Sequence, residues 1–172
     1  MIRDTRYIFF GTPRFAAIIL EKLISAGIPP VALVCNPDRP TGRKKIITPP
    51  PTKQVVREKV ASSKGKIEIF QPENLKDAYY LLHATNYDVF IVAAYSKILP
   101  REILAIPRLG TIGVHPSLLP KYRGPSPIQS AILAGETETG ITLFLMDEQV
   151  DNGPIISSKK LVVSSKDNYE TL

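Results

Sequence analysis

Residues 88–94, Asp88-Val89-Phe90-Ile91-Val92-Ala93-Ala94, are the most apolar run in the chain. A run that short and that apolar reads as a strand buried on both faces. Such a strand belongs inside a sheet covered by helices, and four more apolar runs repeat the pattern. Tyr7-Ile8-Phe9-Phe10, Val31-Ala32-Leu33-Val34-Cys35, Ile67-Glu68-Ile69-Phe70 and Gly110 to Val114 are each set apart by turn residues. Between them lie segments of helical character. Phe15, Ile18, Ile19 and Leu23 recur at helical spacing, with Gly27 placed to close that helix. Thr52 to Arg57, a weaker Asp77 to His83, and Pro100 to Leu104 follow, and Pro127 to Leu133 is one more. Strands alternating with helices as far as residue 133 predict an α/β fold, a mostly parallel sheet with helices on both faces. Residues 138–146 and Ile155 to Val163 are two further strands with no helix between them. They predict an antiparallel extension at the C-terminal end.

The first strand ends in Gly11-Thr12-Pro13, where glycine permits a tight turn and proline suits a first helical turn. The junction has the shape of a dinucleotide-binding opening, but Pro13 stands where the second glycine of G-x-G-x-x-G belongs. A pyrophosphate site there is not expected. At 172 residues, 44% of them hydrophobic, the chain is one domain with a single core. The only cysteine, Cys35, excludes an intrachain disulfide and reads as a small buried hydrophobe. Residues 1–6 lack an apolar run with a cleavage site, and no segment approaches membrane-spanning length. A cytoplasmic protein with no membrane partner is expected. His83 has no acidic or cysteine neighbour close in sequence and reads as a surface residue.

The net charge is +6, all of it early in the chain: residues 1–60 carry +7 and the rest −1. Arg39, Arg43, Lys44 and Lys45 are crowded into the loop that begins Asn36-Pro37-Asp38 and leaves through Pro49-Pro50-Pro51. A long loop with four cations suggests phosphate contact. On charge alone, solvated lysines are the better account.

The chemistry points to residues 113–154. His115 ends an apolar strand, where open α/β sheets place their reactive groups. Asp151 stands beside the turn pair Gly153-Pro154, which can return a carboxylate toward the strand ends. Brought together, the two would form an acid/base pair with the carboxylate favouring a charged imidazole. Spacing alone fits a solvent-facing histidine and an ordinary turn aspartate equally well.

His115-Pro116-Ser117-Leu118-Leu119-Pro120, then Arg123-Gly124, then Asp151-x-Gly153, resembles the signature of the folate-dependent formyltransferases. The resemblance covers nearly the whole chain. It is closest to the N-terminal catalytic domain of the members that formylate methionyl-tRNA. Phe10-Gly11-Thr12-Pro13-x-Phe15-Ala16, Pro37-Asp38-Arg39-Pro40-x-Gly42-Arg43 and Tyr95-x-x-Ile98-Leu99-Pro100 carry it, as does 131–140.

The resemblance implies a Rossmann-like formyltransferase fold and formyl transfer from 10-formyltetrahydrofolate, without a metal. The acceptor it implies is initiator methionyl-tRNA, and the protein a monomer. By the same resemblance His115 and Asp151 are catalytic, and Ser117, Leu118, Leu119 and Pro120 bind the folate. The Met146–Val150 segment offers backbone groups to its pterin edge, and Arg39, Arg43, Lys44 and Lys45 meet the tRNA. Gly113 departs from the pattern, standing where the family has a catalytic Asn. Asn152 is the one nearby amide that could replace it. Asn168 to Leu172 reads as the opening turn of an unfinished helix, and the resemblance implies the rest of this domain and a C-terminal tRNA-binding domain beyond it. A sugar nucleotide or glycinamide ribonucleotide as acceptor stays open. So does a non-catalytic folate- or RNA-binding module, which Gly113 favours.

Overall fold

The computed structural model describes residues 5–60, 66–83 and 86–172. Met1 to Asp4, part of the N-terminal stretch read for a signal, lie outside them. The chain forms two compact units, 1–111 and 112–172.

In the first unit the apolar runs are strands. β1 (Tyr7–Gly11) pairs in parallel with β2 (Ala32–Val34) on one side and with β6 (Val89–Ala93) on the other. Of the strands between, β5 (Glu68–Phe70) pairs in parallel with β2, giving the order β5-β2-β1-β6. Ile8, Phe9 and Phe10 are fully buried because β1 is central, and Phe10 packs against Phe90 with ring centroids 5.2 Å apart. From β1 the chain winds outward through β2 to β5, then returns to β6 on the far side. The carboxyl ends of β1 and β6 therefore flank a topological switch point.

Helix α1 (Arg14–Ser25) follows β1 directly, with Pro13 as its N-cap and the Pro13 carbonyl accepting the Ala17 N–H. It buries Ala16, Ala17 and Leu20. It ends as expected at Gly27, whose φ of +76° lets its N–H reach the Ile24 carbonyl while Ile28 N–H reaches Leu23. α2 (Pro51–Val60) packs against α1, and α3 (Leu75–His83) and α4 (Arg101–Leu104) match the remaining helical segments. His83 is exposed and lies against Tyr79. Cys35 is fully buried, and burial pushes its thiol up to about 11, so it is inert at neutral pH.

The basic loop is more ordered than its composition suggests. Residues 39–48 form a two-stranded antiparallel hairpin, β3 (Arg39–Thr41) with β4 (Ile46–Thr48). Pro40 and the run of charges conceal the pattern, because short exposed strands have no buried face to enforce alternation.

In the second unit β7 (Thr111–His115) pairs with β8 (Glu138–Leu145), which pairs with β9 (Ile155–Val162). Both ladders are antiparallel, as expected for β8 and β9. The strand that ends at His115 thus has an antiparallel partner within this unit, where the expected antiparallel extension begins. α5 (Pro127–Leu133) joins β7 to β8. At the end of the chain, the N–H of Leu172 meets the Asn168 carbonyl, a single helical turn.

Candidate active site and basic hairpin

The ladder between β7 and β8 sets out the site. Gly113 lies opposite Phe144, and His115 opposite Thr142. Directly opposed residues share a face, so these four side-chain positions lie together on the buried side. Thr142 is fully buried, and its hydroxyl donates to Ser117 O at 2.7 Å and accepts the Leu119 N–H at 3.1 Å. The Ser117 hydroxyl in turn donates to Lys121 O at 2.6 Å. The turn after His115 is thereby stitched to β8 and to itself. It contains a cis Leu119–Pro120 bond.

Asp151 returns as anticipated. Gly153 has room only for hydrogen, since a Cβ there would overlap the Leu145 carbonyl at the end of β8. The Leu145 N–H donates to Pro154 O at 2.9 Å, docking the turn on the strand. Asp151 Oδ2 then sits 3.4 Å from His115 Nδ1, the two side chains 17% and 7% exposed respectively. The same oxygen accepts the Gly124 N–H at 2.8 Å, and Arg123 Nε donates to the Asp151 carbonyl at 2.9 Å. Arg123-Gly124 is therefore the holder of the carboxylate, a role its place in the motif did not disclose.

The other imidazole nitrogen, Nε2, is 2.8 Å from Tyr122 O. Both ring nitrogens face acceptors. A neutral ring can donate to one of them; the doubly protonated ring donates to both. Tyr122 has φ of +54°, and its phenol donates to Glu136 at 2.6 Å while Lys121 Nζ donates to the same oxygen at 2.9 Å. The hydrogen bond from Tyr122, then that from Lys121, holds the Glu136 carboxyl below the usual range. Glu136 thus anchors the two residues whose carbonyls take His115 and Ser117.

Gly113 borders this site without a side chain, and there is no room for one. A Cβ would fall well inside van der Waals contact with the Phe144 ring and 3.1 Å from Met146 Cγ. Asn152 Nδ2 donates to Gln149 Oε1 at 2.9 Å, on the surface, so its amide is already engaged.

Of the turn residues, Ser117 and Leu119 are buried and Pro120 is exposed. The Ser117 hydroxyl serves the turn, leaving Leu118 and Pro120 to present surface. The segment after β8, Asp147 to Val150, is exposed and begins beside Gly113 through Met146. Among the described residues no group of three His, Cys, Asp or Glu is placed to hold a metal. No helix among them is long and apolar enough to cross a membrane.

In the first unit the hairpin turns through Gly42 and Lys45, both with positive φ, and the Lys45 N–H donates to Gly42 O. Arg39, Arg43, Lys44 and Lys45 are all exposed, with Arg39 Nη2 3.8 Å from Glu73. Ile46 and Ile47 beside them are each 62% exposed. The hairpin is a cationic tip on a stem that also exposes two isoleucines.

The family model described as formyl transferase matches residues 5–172. A methionyl-tRNA formyltransferase of Staphylococcus epidermidis (strain ATCC 12228) is 46% identical over 98% of this chain and 53% of its own length. One from Chloroflexus aurantiacus is 47% identical over 88% of this chain and 48% of its own. The chain spans about half the length of the curated relatives it matches. Among solved structures, phosphoribosylglycinamide formyltransferase from Bacillus halodurans superposes with a TM-score of 0.73 at 21% identity. That match covers 97% of this chain and 84% of the other, and shows a shared fold.

Proposed function

Because the chain belongs to the formyl transferase family, we propose that it transfers the formyl group of 10-formyltetrahydrofolate to the α-amino group of methionine on initiator tRNA. It does so for translation initiation, as a monomer in the cytoplasm. The observation that carries the choice of acceptor is the basic hairpin: three exposed cations at its tip suit a polyanion and have no use with a small amine. The names of its relatives favour the same acceptor.

The chemistry follows from the donors and acceptors around His115. The amine attacks the formyl carbon, a tetrahedral oxyanion forms, and the bond from that carbon to N10 of the folate breaks as N10 takes up a proton in place of the one the amine sheds. In the resting site the Nε2–H of His115 is spent on a neutral carbonyl, Tyr122 O. An oxyanion is the stronger acceptor, so it competes for that proton donor only as charge develops, which favours the transition state over the ground state. Asp151 Oδ2 orients the ring from its other nitrogen, Nδ1. Its Oδ1 makes no bond among the described residues and is the base for the proton that the amine sheds. Leu118 and Pro120 frame the folate on one side, and the Met146–Val150 segment, exposed from Asp147 on, frames it on the other.

Product identity tests the acceptor. The full-length protein, given labelled donor with methionyl-tRNA, glycinamide ribonucleotide or an amino-sugar nucleotide, formylates the tRNA. Label on either small amine instead moves the chain to another branch of the family. A second reading, a non-catalytic folate- or RNA-binding module, is favoured by Gly113 and predicts binding of both ligands with no transfer.

A further inference from the structure

Asp38 stands directly before four cations in the sequence, where a carboxylate weakens any anion site unless its charge is spent elsewhere. Its charge is spent on Lys53. Lys53 Nζ lies 2.8 and 2.9 Å from the two oxygens of Asp38 and also donates to Gln71 Oε1, its side chain 12% exposed. The Gln71 amide completes the ring by donating to Asp38 Oδ1 at 2.8 Å and to Asn36 O at 2.7 Å. The other leg of the hairpin is tied by the next residue of α2, with Gln54 Nε2 donating to Pro49 O at 2.9 Å. Both legs are thus fastened to the first turn of α2, and the entering leg also to the residue that follows β5. Among the described residues, no hydrogen bond or ion pair joins the cluster to a cation of the hairpin tip.

We propose that Asp38, Lys53 and Gln71 form a clamp that fixes the angle at which the basic hairpin leaves the sheet, so that these three positioning residues set the affinity for the polyanionic substrate without touching it. The inference rests on the hairpin's being the RNA-binding element, as proposed above. Without the clamp, the two short strands still pair, but the tip samples many orientations and its ordering must be repaid on binding.

The sign of one substitution separates positioning from simple charge. Asp38→Ala removes an anion beside a polyanion site, so charge alone predicts tighter RNA binding. The clamp predicts the opposite: the KM for methionyl-tRNA in the full-length protein rises about tenfold. The kcat at saturating tRNA, the KM for the folate donor and the salt slope of RNA binding stay unchanged. Asp38→Asn, which keeps the volume and some hydrogen bonding, shows a smaller rise in the same direction and serves if the alanine variant fails to fold. Spin labels at Lys44→Cys and Glu58→Cys read the clamp itself, since Cys35 is buried; their distance distribution broadens in the Asp38 variants. Tighter or unchanged RNA binding, or an unbroadened distribution, overturns the proposal. If Arg43, Lys44 and Lys45 together changed to alanine leave RNA binding intact, the hairpin's role fails instead, and the label distances still report whether the clamp holds.

Discussion

Nδ1 of His115 faces Oδ2 of Asp151 at 3.4 Å, and the same oxygen takes the N–H of Gly124. The carboxylate is thus shared between the imidazole and the backbone that positions it. Residues acting as one unit lose activity together. His115→Ala and Asp151→Ala should each cut turnover severely, while the double variant loses little more than the worse of the two. Steady-state kinetics on the full-length protein checks this. Losses that multiply show two residues working independently.

Gly113 and Phe144 are coupled by volume. Restoring an asparagine at 113 looks, from sequence, like a route to a faster enzyme, but the Phe144 ring already fills that space. Forcing a side chain into a packed core costs about 1–3 kcal/mol. Gly113→Asn alone should therefore lower the melting temperature without raising turnover. Combined with Phe144→Ala, which itself costs about 3–5 kcal/mol by emptying a buried site, the losses should be less than additive, because the asparagine fills part of the space the ring leaves. Thermal unfolding of the three variants decides; a stable, faster Gly113→Asn single variant contradicts the packing. Asn152→Ala should leave turnover nearly unchanged, as its amide is engaged with Gln149.

Glu136 links stability to acid pH. Its carboxyl is held below the usual range by the Tyr122 phenol first and the Lys121 ammonium second. A depressed folded value means the stabilisation is complete above the unfolded glutamate range near about 4.3 and is lost as pH falls through the lower folded value. Glu136→Gln should flatten that part of the acid limb in urea midpoints measured across this window. An acid limb identical to the parent's would show that the Tyr122–Glu136 bond adds nothing to stability.

The hairpin tip is testable by salt. Replacing Arg43, Lys44 and Lys45 together by alanine should weaken RNA binding and reduce the log–log salt slope by up to about 3. A weakened complex with an unchanged slope would mean that the tip does not meet phosphates.

The strands were legible because burial on both faces leaves an apolar signature, as at Phe9, Phe90 and their neighbours. Gly27 was legible because only a positive φ closes that helix economically. The hairpin was not, since Arg39-Pro40-Thr41 and Ile46-Ile47 are exposed and Thr48 is only half-buried, so neither strand has a buried face. His115 and Asp151 could be picked out as a motif, and their meeting follows from Gly153. The supporting residues could not. Thr142 acts through register, Glu136 through two side chains that come to it, and Tyr122 through a backbone carbonyl that every residue has. Phe144 is unremarked in sequence, because what it excludes at Gly113 appears only across the ladder.

The most direct measurement is a single-turnover assay of the full-length protein with methionyl-initiator-tRNA and labelled 10-formyltetrahydrofolate, both saturating. Label should appear on the methionine amine at a rate that Asp151→Ala abolishes, with the native Gly113 in place. Tight binding of tRNA and folate with no label transferred would contradict the account, and would leave this fold holding both ligands without joining them.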